Sequence, residues 1–345
     1  MTDQIVFVGG AMTDETYDIS QTQYKLINKR LAEGFKIPLY DHVNDKAHDA
    51  LAGVLNELKI EKLSAQPGGS VYNTMCAVKA ILGHKNKDEF ATQHVVTSQG
   101  HGFDLTIAGE TEGVHIKFLA AHKPQNKIDL DDMKKRLATA KVIFMPRSTF
   151  TDRPEVAEAV LDFLKESNPK AKVIATFHGF KPAHQTEKVM GLMRRCDAWI
   201  GNDAELGIKE LAKDLAAFAK DEAHIAAVTR GEKGVELFSE KYHGSFVSEA
   251  ANPLVSSSGA GNAAEAALAV FMGRSMDEAR GSEKVANMRW LATLIRSAGA
   301  EACTFKTPVM SPDHNKGIWG KFDRYVLKEW RKAPAAKASH SGLNP

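Results

Sequence analysis

Val142-Ile143-Phe144-Met145, Val173-Ile174-Ala175-Thr176-Phe177, Ala198-Trp199-Ile200-Gly201 and Ile225-Ala226-Ala227-Val228-Thr229 recur at near-even spacing along residues 142–229. Each run is too short for a helix and almost wholly apolar, the pattern of a strand buried on both faces. Helical patterning fills the gaps at Pro154 to Glu166, Thr186 to Arg195 and Asp203 to Ala219. Strands alternating with helices of this length predict an α/β fold with a mainly parallel sheet covered on both faces.

Working outward, Ile5-Val6-Phe7-Val8 reads as a short buried strand that ends in a turn at Gly9-Gly10. No G-x-G-x-x-G follows it, which argues against a dinucleotide fold of the NAD type. Residues 14–40 carry no clear period. Ala47, Ala50, Leu51, Val54, Leu55 and Leu58 mark an amphipathic helix, and Pro67-Gly68-Gly69-Ser70 opens another that Gly83 ends. Val95-Val96-Thr97 and Val114 to Phe118 read as strands, and Leu130 to Ala138 as a helix. Val235 to Phe238 is a strand beyond a Gly-rich turn. Val285 to Ala298 and Phe322 to Arg331 are late helices, and the small, polar residues 333–345 read as a disordered tail beyond a domain of residues 1–332.

The 345 residues are 43% hydrophobic, enough for a large core, and a formal net charge of +2 argues for neither nucleic acid nor a membrane surface. Cys76, Cys196 and Cys303 are odd in number and far apart, which reads as buried thiols in a reducing compartment. No run approaches a membrane span and Met1-Thr2-Asp3 begins no signal peptide, so the expected location is cytoplasmic.

One loop stands out chemically. Ser256-Ser257-Ser258-Gly259-Ala260-Gly261-Asn262 runs into the alanine-rich Ala263-Ala264-Glu265-Ala266-Ala267. Small residues there let a ligand approach the backbone, and the first N–H groups of a helix can hold a phosphate. Taken singly, the loops are also ordinary structure. Asn202-Asp203-Ala204-Glu205 and Asn262-Ala263-Ala264-Glu265 both have the spacing of a helix cap with its reaching glutamate. Thr229-Arg230-Gly231-Glu232-Lys233-Gly234 is by itself a hairpin turn, and Gly68-Gly69 a loop before a helix. The histidines have no metal-ligand spacing.

Together and in order, these pieces resemble the ribokinase family of PfkB-type carbohydrate and nucleoside kinases, over about residues 5–305. The helix-bearing segment before Gly68 makes the layout most similar to the adenosine kinase branch. The resemblance implies a three-layer α/β/α sandwich. It also implies an ATP-dependent kinase that uses Mg2+ and phosphorylates a hydroxyl of a sugar or nucleoside. Asp14, Gly68, Gly69 and Asn73 would lie on the substrate. Asn202, Thr229, Gly231, Gly234 and Ser258 would lie on the nucleotide side, with Glu205 at the metal. Gly259, Ala260 and Gly261 would hold the transferring phosphate.

The chain departs from the family at three places. Asn262 stands at the position of the family's catalytic aspartate, and Ser256 replaces the first aspartate of the same signature. The link from Val114 to Lys141 looks too short for a full lid, which implies a reduced lid and a substrate face left open or covered by a homodimer or protein partner. An amide orients a hydroxyl but does not take its proton, and losing a general base costs about 10²- to 10⁴-fold in rate. Two readings follow: a kinase with impaired catalysis, or a catalytically silent relative that binds a ligand or protein. Aspartate at position 262 is expected to raise transfer by at least about tenfold and to leave folding intact, since both residues cap helices well.

Overall fold

A computed structural model describes residues 3–35, 45–62, 64–83, 90–107, 115–119, 123–124, 129–180, 182–206, 215, 217–219, 224–239, 242–248, 251, 253–255, 257, 259–274, 282–305 and 309–332. Its centre is an eleven-stranded sheet. Six strands form the parallel floor: β1 (Asp3–Ile19), β3 (Phe90–Ile107), β6 (Ala140–Pro146), β7 (Lys172–Thr176), β8 (Ala198–Asn202) and β9 (Ile225–Thr229). Across the sheet they lie in the order β9, β8, β7, β6, β1, β3. At the far edge β10 (Val235–Ser239) and β11 (Tyr242–Phe246) add antiparallel. The four apolar runs from 142 to 229 are therefore adjacent, parallel and central.

The side-chain alternation of a strand sorts the core into two layers. Ile5, Phe7, Val142, Phe144, Ile174 and Ile200 face α3 (Gly69–Leu82), α9 (Ala260–Gly273), α10 (Ser282–Ala302) and α11 (Asn315–Lys332). Val6, Val8, Ile143, Met145, Val173 and Trp199 face α4 (Leu130–Ala138), α6 (Pro154–Ser167) and α7 (Glu187–Met193). This is the three-layer α/β/α sandwich with a mainly parallel sheet. The helix expected over Asp203 to Ala219 begins as α8 (Asp203–Leu206), and most of the remainder lies outside the described residues. The tail from 333 also lies outside them. Among the described residues no helix is long and apolar enough to cross a membrane. Of the three thiols only Cys196 is fully buried; Cys76 and Cys303 are half-buried.

The first strand does not stop at Gly9-Gly10. It passes through a bulge between Gly9 and Ala11 and continues to Ile19, with β3 beside it in parallel throughout. A Cβ on Gly9 would lie 2.7 Å from both Pro146 and Val71, so the crossing point has room only for glycine. The outer half of β1 pairs antiparallel with β2 (Ser64–Gly68), and the outer half of β3 with β4 (His115–Leu119) and β5 (Lys123–Pro124). Helices α1 (Gln21–Phe35) and α2 (Asp45–Glu57) pack on this extension, with Tyr17, Ile19, Ile27, Leu31, Leu51 and Leu55 as a third small core. Among the described residues, the extension that stands where a lid was expected is thus built from prolonged core strands and from chain before Gly68, with β4 and β5 drawn from the later segment. A shortage of chain after Val114 therefore no longer argues that a homodimer or protein partner must cover the substrate face.

Helix α3 carries at its start two motifs that the resemblance assigns to the substrate, and its end is held by distant residues. Gly83 (φ +67°) turns the chain, while Asn315 Nδ2 donates to Ala80 O (3.0 Å) and Ile81 O (2.7 Å). These are last-turn carbonyls with no partner inside the helix. Asn315→Ala should lower stability by about 2 kcal/mol, seen as a lower denaturant midpoint at unchanged slope.

Candidate functional site

The C-terminal ends of β7, β8 and β9, the bulge of β1 and the N-termini of α3 and α9 converge on one crevice, the usual ligand position in an open α/β sheet. On one side of it, β9 ends at Thr229 and a 3₁₀ turn, Gly231–Lys233, leads into β10. Gly231 and Gly234 both have positive φ, +54° and +99°. Arg230 N donates to Gly234 O at 2.8 Å and closes the turn. Beside it opens a cleft of about 330 Å³ lined by Thr229, Gly231, Gly234, Leu254, Ser257, Gly261 and Gly299, among others. The Arg296 guanidinium also lines it, lying over the Tyr325 ring at 4.4 Å and donating to Val247 O at 3.0 Å. Ser256 and Ser258 lie outside the described residues.

The left-handed Gly259 (φ +87°) turns the loop into α9, and Ala260 and Gly261 are the first helical residues. Asn262 is therefore the third residue of the helix and not its cap, which overturns the capping reading. Its side chain is buried and engaged elsewhere. Nδ2 lies within donor range of Ser70 O (3.2 Å), Ser70 Oγ (3.1 Å), Thr74 Oγ1 (3.2 Å) and Glu265 Oε2 (3.2 Å). A carboxylate only accepts, so Glu265 fixes which end of the amide turns inward.

Glu265, read from the sequence as a cap partner, lies at the centre of this network and is 3% exposed. Thr176 donates to its Oε1, and Thr74 (2.7 Å) and Ser70 (3.4 Å) to its Oε2. Burial pushes the carboxyl up from its ordinary range, while His178 and the Thr176, Thr74 and Asn262 donors pull it back. The clue in the sequence was an acid inside Ala263-Ala264-Glu265-Ala266-Ala267-Leu268, a helix otherwise apolar on all sides. A charge there must find partners.

Glu205, by contrast, does cap. Glu205 N donates to Asn202 Oδ1 (3.0 Å), and Glu205 Oε2 accepts from Asn202 N (2.9 Å). Its Oε1 also accepts from Gly179 N at 2.7 Å, which joins the ends of β7 and β8. Among the described residues no three His, Cys, Asp or Glu are grouped to hold a metal. Each oxygen of Glu205 keeps spare acceptor capacity, which suits contact with a magnesium ion through water, with phosphate oxygens as the main ligands. Arg147, the residue after β6, is a half-buried cation that feels the charges of Asp152 and Glu205, with its guanidinium 3.4 Å from His184 Nε2.

On the other side, Met12 of β1 pairs with Gly68, and Asp14 is opposite Gln66 of β2 and Gly102 of β3. This brings the Asp14 backbone onto the same extension as the Gly68-Gly69 turn. Asn73 is 2% exposed and its Oδ1 has no hydrogen-bond partner. Gly68, Gly69, Asn73 and Asn262 thus meet where α3 and α9 start, and Asn202, Glu205, Thr229, Gly231 and Gly234 lie along the strand ends that lead to the cleft.

No family model and no curated protein matches the chain by sequence. Solved structures do match. A probable sugar kinase from Rhizobium etli aligns over 93% of this chain and 100% of its own, with TM-score 0.67 and 16% identity. Adenosine kinase from Sinorhizobium meliloti covers 90% of this chain and 96% of its own, with TM-score 0.62 and 15% identity. Arabidopsis thaliana ribokinase, solved with ribose and ATP, covers 93% and 99%, with TM-score 0.57 and 16% identity. The chain has the ribokinase-like fold.

Proposed function

We propose that the protein is an ATP-dependent phosphotransferase acting on a hydroxyl of a sugar or nucleoside. One observation carries the reading: the cleft beside Thr229 to Gly234 is bordered by Gly261 in the first turn of α9, whose backbone N–H groups have no carbonyl partner within the helix and suit a phosphate. ATP would lie with its base in the cleft and its terminal phosphate at Gly259, Ala260 and Gly261, accompanied by Mg2+ near Glu205. The acceptor would lie over Gly68-Gly69, where the unpaired Asn73 Oδ1 offers a buried acceptor to a hydroxyl. Asn262 favours the second reading, a protein that binds these ligands without turnover.

Calorimetric titration with Mg-ATP should show binding at millimolar concentration or tighter. Gly259→Val should weaken it at least about tenfold, since a β-branched residue is forced out of positive φ. No binding of Mg-ATP, ADP or AMP would remove the proposal. Binding without ADP formation across a panel of sugars and nucleosides would leave the second reading.

A further inference from the structure

We infer that the proton-accepting carboxylate of this site is Glu265, reached through the Ser70 hydroxyl and held in line by Asn262. The inference rests on the phosphotransferase reading above. An amide at position 262 takes no proton, yet Asn262 Nδ2 lies 3.2 Å from a carboxylate oxygen one helical turn on. Both project from α9 onto the start of α3, and i, i+3 spacing places them on one helix face. Ser70 is the half-buried member of the cluster, beside the Gly68-Gly69 turn, and Thr74 behind it is fully buried. Of the three hydroxyls that donate to Glu265, Ser70 is the one that is not fully buried, and so the one open to the crevice. Four donors converge on Glu265, the arrangement of an ionised carboxylate, and burial makes that carboxylate more basic than usual. The Ser70 to Glu265 distance of 3.4 Å is long for O–H···O, as is common before substrate closes a site.

The step balances. The acceptor oxygen bonds to the γ-phosphorus as the bond from that phosphorus to the β–γ bridging oxygen breaks, and ADP leaves with the electron pair. The acceptor's proton passes to Ser70 Oγ while Ser70's own proton passes to Glu265 Oε2. The resulting carboxylic acid returns its proton to solvent after product leaves. Asn262 Nδ2 donates to both Ser70 Oγ and Glu265 Oε2 and keeps the two aligned.

A merely structural Glu265 would tie α3, β7 and α9 together without affecting chemistry, and three variants separate the cases. The readout is ADP formation from Mg-ATP with the sugar and nucleoside panel, and with water alone. Glu265→Gln should lower kcat by about 10²- to 10⁴-fold with KM for ATP little changed. Ser70→Ala should lower kcat in the same direction. Asn262→Asp/Glu265→Gln keeps one negative charge in the cluster and moves it to the helix start. It should recover at least about tenfold over Glu265→Gln. The acid limb of the wild-type kcat profile should lie above the ordinary carboxylate range and vanish in Glu265→Gln. The groups facing Glu265 are Ser70 and Thr74 from α3, Thr176 and His178 at the end of β7, and Asn262 from its own helix. His178 is the titratable one, so a limb that survives in Glu265→Gln belongs elsewhere and would overturn the proposal. So would a folded Glu265→Gln protein with undiminished kcat, or a double variant no better than the single one. Wild type that binds Mg-ATP but forms no ADP would also overturn it and leave nucleotide binding standing. Absence of Mg-ATP binding would remove both.

Discussion

A Gly234→Val protein should be about 4 kcal/mol less stable than wild type and should lose measurable Mg-ATP binding. Two costs combine at this residue. Its φ of +99° is one that a β-branched side chain avoids. A Cβ built there would lie 1.8 Å from Phe246 O, a backbone atom of the adjacent strand. Val235 and Phe246 are register partners, so relief requires prising β11 from β10 and opening one wall of the cleft. Gly231 supplies the comparison. It also has positive φ, but nothing lies within 4 Å of its Cβ position. Gly231→Ala should therefore cost only the conformational penalty, about 1 kcal/mol. Denaturant titration of both proteins, followed by calorimetry with Mg-ATP, measures the difference. Equal losses in the two variants would mean that the contact with Phe246 contributes nothing.

Asn262→Asp should destabilise the fold by about 3 kcal/mol near pH 8.5 and by much less near pH 5.5. The new carboxylate would stand where Nδ2 now lies, 3.2 Å from Glu265 Oε2. Two unit charges at that distance repel by about 5 kcal/mol at an effective dielectric of 20, so one of the pair takes a proton in the folded state. The sign follows. The folded pair binds a proton that the unfolded chain has already released at neutral pH, so its folded pKa is raised. Its stability is fully present below the ordinary carboxylate range and is lost as pH rises through the raised value. Unfolding midpoints at the two pH values measure this, and parallel behaviour to wild type would sink the prediction. Near-intact folding and a tenfold gain both assumed an isolated residue at a helix cap. With a buried carboxylate already in contact, we expect neither at neutral pH.

The central strands were legible because burial on both faces leaves short, unbroken apolar runs, and four of them in succession permit few arrangements. The outer halves of β1 and β3 were not. Gly9-Gly10 reads as a turn to any local rule, and Thr13, Asp14 and Glu15 are polar. The hydrogen bonds that keep this segment extended come from β2 and β3, some 50 to 90 positions away along the chain. β11 escaped notice for a related reason: Tyr242-His243-Gly244-Ser245-Phe246 is a half-exposed edge with glycine at its centre. In the site, the glycine turns were readable because they are statements about backbone conformation. The partners of Asn262 were not, since Ser70 is 192 positions away and nothing local distinguishes a cap from a buried network.

The two unbroken strands beneath the lid set how it moves. A cover that swings on a loop is free to open widely, whereas this one shares its backbone ladder with the floor, and opening it means bending β1 and β3 together. The soft place in that ladder is the bulge between Gly9 and Ala11, where the register slips and no side chain stiffens the chain. The molecule thus resembles a leaf spring clamped at the core.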